Sequence, residues 1–243
     1  MLSPKFCTGI FLFGLLACRP TTITTKPDPP LQNVDTSSVN LSPDPFSSLI
    51  DIHTSMGVLK AELFFHTPTH RENILRLAKE NFYDSTLFHR VIKGFMLQAG
   101  DPESRNAPTN KRLGGGGAGY ELDKEFNTTF FHVKGALAAA RTSDEVNPEK
   151  KSSGCQFYIV QGRPVEVEQL EKNERRYGFS YSPEQKNYYA VYGGAPQLDM
   201  EYTVFGRIYE GLNLLDSMAN VPTDNNDRPR KDLKILSIKI VKM

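Results

Sequence analysis

The sequence has no tryptophan, few cysteines and almost no net charge, and the last two shortages each exclude a class of protein. Its three cysteines among 243 residues are Cys7, Cys18 and Cys155, and the first two lie near the N-terminus. The rest of the chain therefore cannot hold a disulfide framework. A net charge of +1 argues against a dedicated nucleic-acid binder or a polybasic membrane surface. The 15 Phe and 10 Tyr instead favour a β-rich core with aromatic packing.

Residues 1–17 have the pattern of an export signal. Lys5 supplies a positive charge, and Gly9 to Leu16 form an apolar run that is too short to span a bilayer as a helix. The run ends in Leu15-Leu16-Ala17-Cys18, which resembles the lipobox of bacterial lipoproteins. The resemblance implies cleavage before Cys18, lipidation of its thiol and a stable membrane anchor, since two acyl chains already suffice. The alternative is a cleaved secretory signal in which the cysteine occurs by chance.

The composition of residues 18–46 predicts a flexible tether. The segment is rich in threonine, serine and proline, including Pro29-Pro30, and few apolar side chains interrupt it. Such a segment cannot bury enough surface to fold. We expect the folded domain at 47–243, held in the cell envelope and facing the periplasm or the cell surface.

Alternating apolar and polar residues predict the first elements of this domain. Strands are expected at Leu49–His53 and Val58–Phe64, joined by a turn at Ser55-Met56-Gly57. Thr67 and Pro68 suit the N-cap and the first position of a helix. Further strands are predicted at 156–160, 202–208 and 233–241, and a further helix at 210–219. The small apolar residues of 134–141 suit either a tightly packed strand or a close approach to a substrate.

The segment 163–196 differs from this pattern and predicts a helical insertion. Ser182-Pro183-Glu184-Gln185 is a capping signature, in which the glutamine reaches back to the cap residue. Tyr188, Tyr189 and Tyr192 follow, and we expect them on or near one face. Two roles stay open for the insertion, a partner-binding surface or a packed cover over a barrel edge, and the second is favoured.

The stretch Phe88–Asp101 predicts two short strands around a Lys93-Gly94 turn. Its hydrogen-bonding and apolar side chains are Arg90, Gln98, Phe95 and Met96. A pocket built from them would take an apolar ring and hold a polar atom beside it. None of these residues is a nucleophile, and only His89 could carry a proton near neutral pH.

Other candidate sites are weaker, and no metal or cofactor is predicted. The glycine-rich loop Gly114–Gly119 lacks the Lys-Ser/Thr of a P-loop, so a turn passing close to a ligand is favoured over a nucleotide site. His66 and His70 are four residues apart, but Thr67-Pro68 places a helix start between them. Cys155 is expected to be a buried small residue rather than a reactive thiol.

Four motifs occur along the chain in a defined order. They are Phe88–Asp101, Gly135–Arg141, Ser153–Ile159, and Leu198-Asp199 with Tyr202–Gly206. Together they closely resemble the cyclophilin-type peptidyl-prolyl cis-trans isomerases, over roughly residues 47 to 243 apart from the insertion. The resemblance implies a mainly β fold, a closed eight-stranded antiparallel barrel capped by two helices, with the active site on its outer face.

The resemblance also implies peptidyl-prolyl cis-trans isomerisation, with Arg90 as the catalytic arginine. The walls of the proline pocket that it implies are Phe95, Met96, Tyr158 and Leu198. The resemblance implies five further substrate-binding positions, which are Gln98, Gln156, Ala140, Arg141 and Tyr202. The two glutamines would hold the substrate backbone, and Ala140 and Arg141 belong to the segment that contacts the residues before proline. Tyr202 stands where many eukaryotic members carry a pocket histidine.

Three positions depart from many eukaryotic members of that family. Tyr158 replaces a phenylalanine and adds a hydroxyl that needs a partner or water. Gln197 stands where those members carry a tryptophan that helps to bind cyclosporin, so we expect weak sensitivity to that drug. Arg141 replaces a common asparagine at the implied contact with the substrate backbone.

The expected substrates are proline-containing polypeptides exported to the cell envelope, and the expected state is a monomer without a nucleic-acid partner. Two other functions stay open. One is a binding module or chaperone that holds proline-containing segments with little turnover. The other is an envelope scaffold that works through residues 163–196.

Overall fold

A computed structural model describes residues 42–243 of the chain. The predicted export signal, the lipidation at Cys18 and the tether up to residue 41 lie outside the described residues. Within the described range, no helix combines the length and the apolar composition needed to cross a membrane.

The described residues form ten strands and four α-helices. The strands are β1 (Ser48–Thr54), β2 (Gly57–Leu63), β3 (Arg90–Ile92), β4 (Met96–Ala99), β5 (Glu121–Leu122), β6 (Ala136–Ala139), β7 (Ser152–Ser153), β8 (Phe157–Val160), β9 (Val204–Glu210) and β10 (Ile235–Lys242). The helices are α1 (Pro68–Lys79), α2 (Val167–Tyr177), α3 (Pro183–Tyr192) and α4 (Leu212–Ala219). The fold is therefore mainly β, as predicted.

Eight strands form one antiparallel sheet in the order β10-β1-β2-β9-β6-β8-β4-β3. The prediction of a closed barrel is wrong, because the sheet is open and its edge strands β10 and β3 share no ladder. Irregular backbone before β3 meets the chain near the start of β10 instead. Leu87 bridges Lys234, and the Phe88 N–H donates to the Leu233 carbonyl at 2.8 Å. The sheet thus curls into a half-barrel without closing.

The two faces of the sheet carry two separate apolar clusters. Leu97 and Ile159 point to the inner face, which holds the main core, whereas Met96 and Tyr158 point to the other, which we call the outer face. Side chains alternate between the faces along a strand. All four residues of β8 are buried, so both faces are covered at that strand. On the sheet, α1 packs against β9 and β10, and α4 packs against β2.

Helix α1 begins at Pro68 as predicted, but its cap differs from the prediction. Thr67 makes no capping hydrogen bond through its side chain. The N–H groups of Thr69 and His70 donate instead to the carboxylate of Glu125, each at 3.0 Å. A carboxylate is favoured there by the helix dipole. The prediction missed it because the acceptor comes from a distant part of the chain.

Helices α2 and α3 lie within the segment 163–196 and pack around a third apolar cluster. That cluster comprises Phe131, Val165, Leu170, Tyr181 and Tyr189. The predicted capping box of α3 is confirmed, with the Gln185 N–H donating to Ser182 Oγ and the Ser182 N–H to Gln185 Oε1. The shared tyrosine face is only partly correct. The rings of Tyr188 and Tyr192 contact each other, with centroids 4.8 Å apart, whereas Tyr189 is fully buried.

Candidate functional site

The hairpin of β3 and β4 forms as the sequence predicted, with Gly94 at a φ of +76° in the turn. Strand register then places side chains in a row on the outer face: Arg90 pairs with Gln98, Gln98 with Tyr158, and Tyr158 with Ala138. Directly paired residues of an antiparallel sheet share one face, with Cβ atoms about 4.5–5.5 Å apart. The register therefore brings the cation and the first amide to the aromatic wall.

Arg90 lies at the exposed end of this row. Its side chain is 45% exposed. Its hydrogen bonding within the described residues is limited to a long contact of 3.4 Å from Nε to Asp227 Oδ2. The guanidinium fork is thus held only loosely and can donate to another group. Asp227, which the sequence did not single out, supplies this contact.

The structure gathers the predicted wall residues in the outer-face cluster. Met96 and Tyr158 are buried, whereas Phe95, Leu198 and Tyr202 are partly buried against them. The rings of Tyr158 and Tyr202 meet edge to face, with centroids 5.8 Å apart. These residues can together present an apolar surface to a small ring. Gln197, next to Leu198, is exposed, so the rim carries an amide there.

The two predicted amides bond to each other. Gln98 Nε2 donates to Gln156 Oε1 at 2.9 Å. Gln156 in turn donates through Nε2 to the carbonyls of Gly114 and Gly116, at 3.0 and 2.6 Å. Gln156 is therefore fixed by the glycine-rich loop. That loop thus lies beside the two amides, and its predicted approach to a ligand stays a prediction.

Ala140 and Arg141 lie on the other side of the site. The Ala140 N–H donates to the Gln156 carbonyl at 2.9 Å, which ties this segment to the residue before β8. The Arg141 side chain is 5% exposed, and its guanidinium carbon lies 4.5 Å from the ring centroid of Tyr202. Its Nε donates to the Glu201 carbonyl at 2.9 Å. Its guanidinium is thus engaged within the protein, and its contact with a substrate stays a prediction.

A polar cleft of about 500 Å³ opens beside Arg90. Its lining residues include His89, Arg90, Gln98, the loop 109–115, Asp224, Asn226 and Arg228. The Arg228 guanidinium is buried and donates to the carbonyls of Ala107, Pro108 and Lys111 at 2.9 to 3.2 Å. The Arg228 guanidinium therefore holds in place the loop that forms one wall of the cleft. Nothing in the sequence pattern indicated Arg228.

His89 lines the same cleft and is 4% exposed. Neither of its ring nitrogens has a hydrogen-bond partner within residues 42–243. Burial lowers the pKa of His89 below its ordinary value, so its imidazole is neutral at pH 7. Cys155 is buried and free, as predicted, and burial raises its pKa to about 11. Neither residue is poised as an ionised nucleophile.

The extra hydroxyl of Tyr158 has a partner that the sequence did not identify. Tyr158 Oη lies 2.9 Å from Nε2 of the fully buried His132, whose Nδ1 lies 2.8 Å from Asp199 Oδ1. Burial raises the pKa of Tyr158 well above its ordinary value, so the hydroxyl keeps its proton. No group of three or more acidic, histidine or cysteine side chains in the described part of the chain is placed to hold a metal ion.

Comparisons with known proteins agree with this geometry. The family model for cyclophilin type peptidyl-prolyl cis-trans isomerase/CLD matches residues 49–240. A Staphylococcus haemolyticus protein named as a peptidyl-prolyl cis-trans isomerase is 34% identical over 192 residues, which cover 79% of this chain and 90% of that protein. A Streptococcus pyogenes protein named as a bifunctional phosphatase/peptidyl-prolyl cis-trans isomerase is 34% identical over 195 residues, 79% of this chain. The chain spans 38% of that longer relative.

The fold also matches solved structures. A Cryptosporidium parvum cyclophilin type peptidyl-prolyl cis-trans isomerase has a crystal structure that gives a TM-score of 0.60 at 27% identity, covering 82% of this chain and 99% of that chain. A second structure, determined in the presence of the dipeptide Ala-Pro, gives 0.58 at 28% identity, with 80% and 99% covered.

Proposed function

The chain belongs to the cyclophilin-type peptidyl-prolyl cis-trans isomerases, and from this membership we propose that it isomerises X–Pro bonds of exported proteins and assists their folding in the cell envelope. The catalytic residues and the cellular location of the enzyme can be tested separately.

The reaction is a rotation about an amide bond. The partial double bond opposes it with a barrier of roughly 18–20 kcal/mol. Without a catalyst, an X–Pro bond exchanges in tens to hundreds of seconds. In the twisted transition state the proline nitrogen becomes pyramidal and regains a lone pair. A donor to that nitrogen is bonded most strongly at this point, so it lowers the barrier rather than merely holding substrate.

We assign that donor to Arg90. The observation that supports it is the placement of a weakly held, half-exposed guanidinium at the end of the row that leads through Gln98 to Tyr158. A proline ring on the outer-face cluster would lie beside this donor while the preceding carbonyl swings. No proton has to move in such a rotation, which is consistent with a neutral, buried His89.

The substrate class follows from the apolar walls and from a relative. The Cryptosporidium parvum isomerase was crystallised in the presence of Ala-Pro, and 80% of this chain aligns with it. The ring would be contacted by the four walls Phe95, Met96, Tyr158 and Leu198. Gln98 would bond the substrate backbone. Both roles stay predictions for this chain.

The test is a protease-coupled isomerisation assay on an Ala-Pro peptide. Arg90→Ala should lower kcat/KM by about 100-fold, the effect typical of removing one transition-state donor. Lys93→Ala is the matched control, because it removes an exposed cation from the same hairpin. Full activity in a folded Arg90→Ala protein would refute the assignment. Affinity for the peptide without any acceleration by the wild type would indicate a binding module instead.

The envelope location rests on residues 1–46, where an apolar leader, Cys18 and a proline-rich segment follow one another. Mass spectrometry of the mature N-terminus from a bacterial host should find acyl chains on Cys18. Cys18→Ser should move the protein from the membrane fraction to the soluble fraction without changing its activity on peptides. An unmodified N-terminus at another residue would support the secretory alternative.

A further inference from the structure

One carboxylate lies at the centre of a buried polar network behind the predicted proline pocket. Asp199 is 1% exposed and accepts four hydrogen bonds, two at each oxygen. Oδ1 accepts from the backbone N–H and from Nδ1 of His132, both at 2.8 Å. Oδ2 accepts from the hydroxyls of Tyr181 and Tyr189, both at 2.6 Å.

The two oxygens therefore join different parts of the molecule. His132 precedes β6 of the sheet, whereas Tyr181 and Tyr189 belong to the insertion, before and within α3. Burial raises the pKa of both tyrosines above the ordinary value, so each keeps its proton and donates it. A buried carboxylate needs this full set of donors, since an unpaired charge away from water is strongly unfavourable.

The direction of each bond follows from these donors. In the neutral tautomer whose Nδ1 donates to Asp199, Nε2 of His132 carries a lone pair and accepts from the Tyr158 hydroxyl at 2.9 Å. Tyr158 is one wall of the predicted pocket, and Leu198, the residue before Asp199, is another. The same carboxylate thus connects to two walls, one through His132 and one through the backbone.

Helix α2 adds further ties between the insertion and this rim. Asn173 Nδ2 donates to Tyr181 Oη at 3.2 Å and to the carbonyl of Pro196. Tyr177 Oη donates to Glu201 Oε1 at 2.6 Å, next to Tyr202. The insertion is therefore attached to the segment 196–202 at several points.

We propose that Tyr181 and Tyr189 are positioning residues for the proline pocket, which act through Asp199 and His132 on the walls Tyr158 and Leu198. This inference rests on the proposed function of the outer face. It gives the insertion a specific task, which is to set the width of the pocket and so the ring that the enzyme accepts. The tyrosines themselves do not touch the substrate.

The test compares Tyr181→Phe, Tyr189→Phe and the double variant in the full chain. Each change removes one donor to Asp199 and keeps the aromatic ring. Tyr192→Phe is the matched control, since it lies on α3 and contacts Tyr188 rather than Asp199. The readout is kcat/KM on an Ala-Pro peptide and on its homologue with a six-membered pipecolyl ring.

We expect each single variant to lower kcat/KM for Ala-Pro by about threefold to tenfold, and the preference for proline over the larger ring to change by a similar factor. Tyr192→Phe should leave both values as in the wild type. If the tyrosines only stabilised the fold, both substrates would lose activity in the same proportion. An unchanged preference in folded variants would therefore overturn the inference.

A second readout separates this inference from the proposed function. NMR resonances of the His132 imidazole should shift in Tyr181→Phe without any substrate and should not shift in Tyr192→Phe. Unchanged His132 resonances would overturn the positioning role even in an active enzyme. A wild type that accelerated neither peptide would refute the proposed function, while the His132 shift would still report the link to the insertion.

Discussion

Two charged groups flank the predicted proline pocket, Arg90 at its exposed edge and Asp199 behind it. The Arg90 side chain is 45% exposed and makes one long hydrogen bond of 3.4 Å to Asp227. Asp199 is 1% exposed and accepts four hydrogen bonds of 2.6 to 2.8 Å. The Arg90 guanidinium thus makes almost no hydrogen bonds within the protein, whereas both oxygens of Asp199 accept hydrogen bonds.

This difference fits the two proposed roles, in which Arg90 bonds the substrate and Asp199 holds the walls of the pocket in place. A group that must bond a reacting atom cannot be fully engaged elsewhere, whereas a group that fixes a wall must be. Substitutions at the exposed edge should therefore change activity with little effect on stability. Substitutions in the Asp199 network should lower the free energy of unfolding, and the following changes test this from the largest expected effect to the smallest.

Asp199→Ala should lower the free energy of unfolding by about 3–5 kcal/mol, because four buried donors lose their acceptor. Urea denaturation followed by circular dichroism measures the change. Glu72→Ala removes an exposed carboxylate paired with Arg71 and should change stability by less than about 0.5 kcal/mol. A loss under about 1 kcal/mol at Asp199 would show that the network contributes little.

Tyr158→Phe should lower the free energy of unfolding by about 1–2 kcal/mol, because Nε2 of His132 is left buried without a donor. The ring, and with it the apolar wall, is retained. The same urea experiment applies, with Tyr192→Phe as the control. Equal stability of Tyr158→Phe and the wild type would mean that water or a shifted side chain replaces the lost donor.

His89 should make the protein less stable as the pH falls. Burial holds its pKa in the folded state below the ordinary value of 6.5, so the unfolded state takes up a proton first. Its contribution is complete above pH 6.5 and decreases as the pH falls from there toward the lower pKa of the folded state. His89→Leu should flatten this part of the pH dependence of the urea midpoint. An unchanged slope in His89→Leu would contradict the shift.

Arg90→Ala should change the free energy of unfolding least, by less than about 0.5 kcal/mol, because its ion pair with Asp227 is exposed to solvent. The loss of activity expected for the same variant would then have no counterpart in stability. A large destabilisation would remove the contrast between the two regions.

Local patterns in the sequence predicted most of the elements. The β3–β4 hairpin follows from alternation around Lys93-Gly94, and the α3 cap follows from Ser182 and Gln185, since both depend on neighbouring residues. The closed barrel was wrong because closure depends on edges far apart in sequence. Adjacent helical residues differ by about 100° in direction, which separates Tyr189 from Tyr188.

The site was predictable only where a motif carried it. Arg90, Gln98, Met96 and Tyr158 come together through register, which the motif implies. The hydroxyl of Tyr158 signalled that a buried partner was needed, but not that His132 would supply it. Asp199 and Arg228 act through tertiary contacts with residues far along the chain, and such pairings leave no periodic trace in one sequence.

The pairing of β1 with β10 has a consequence for how the chain folds. Leu49 pairs with Lys242 and Thr54 with Ile235, so β1 cannot complete its pairing until β10 has been synthesised. Its hairpin partner β2 likewise lacks its second neighbour until β9 has been synthesised. A hairpin with two unpaired edges can pair with other chains. Non-local strand pairing of this kind also slows folding. The β1–β2 hairpin therefore keeps unpaired edges during synthesis until β9 and β10 have been made.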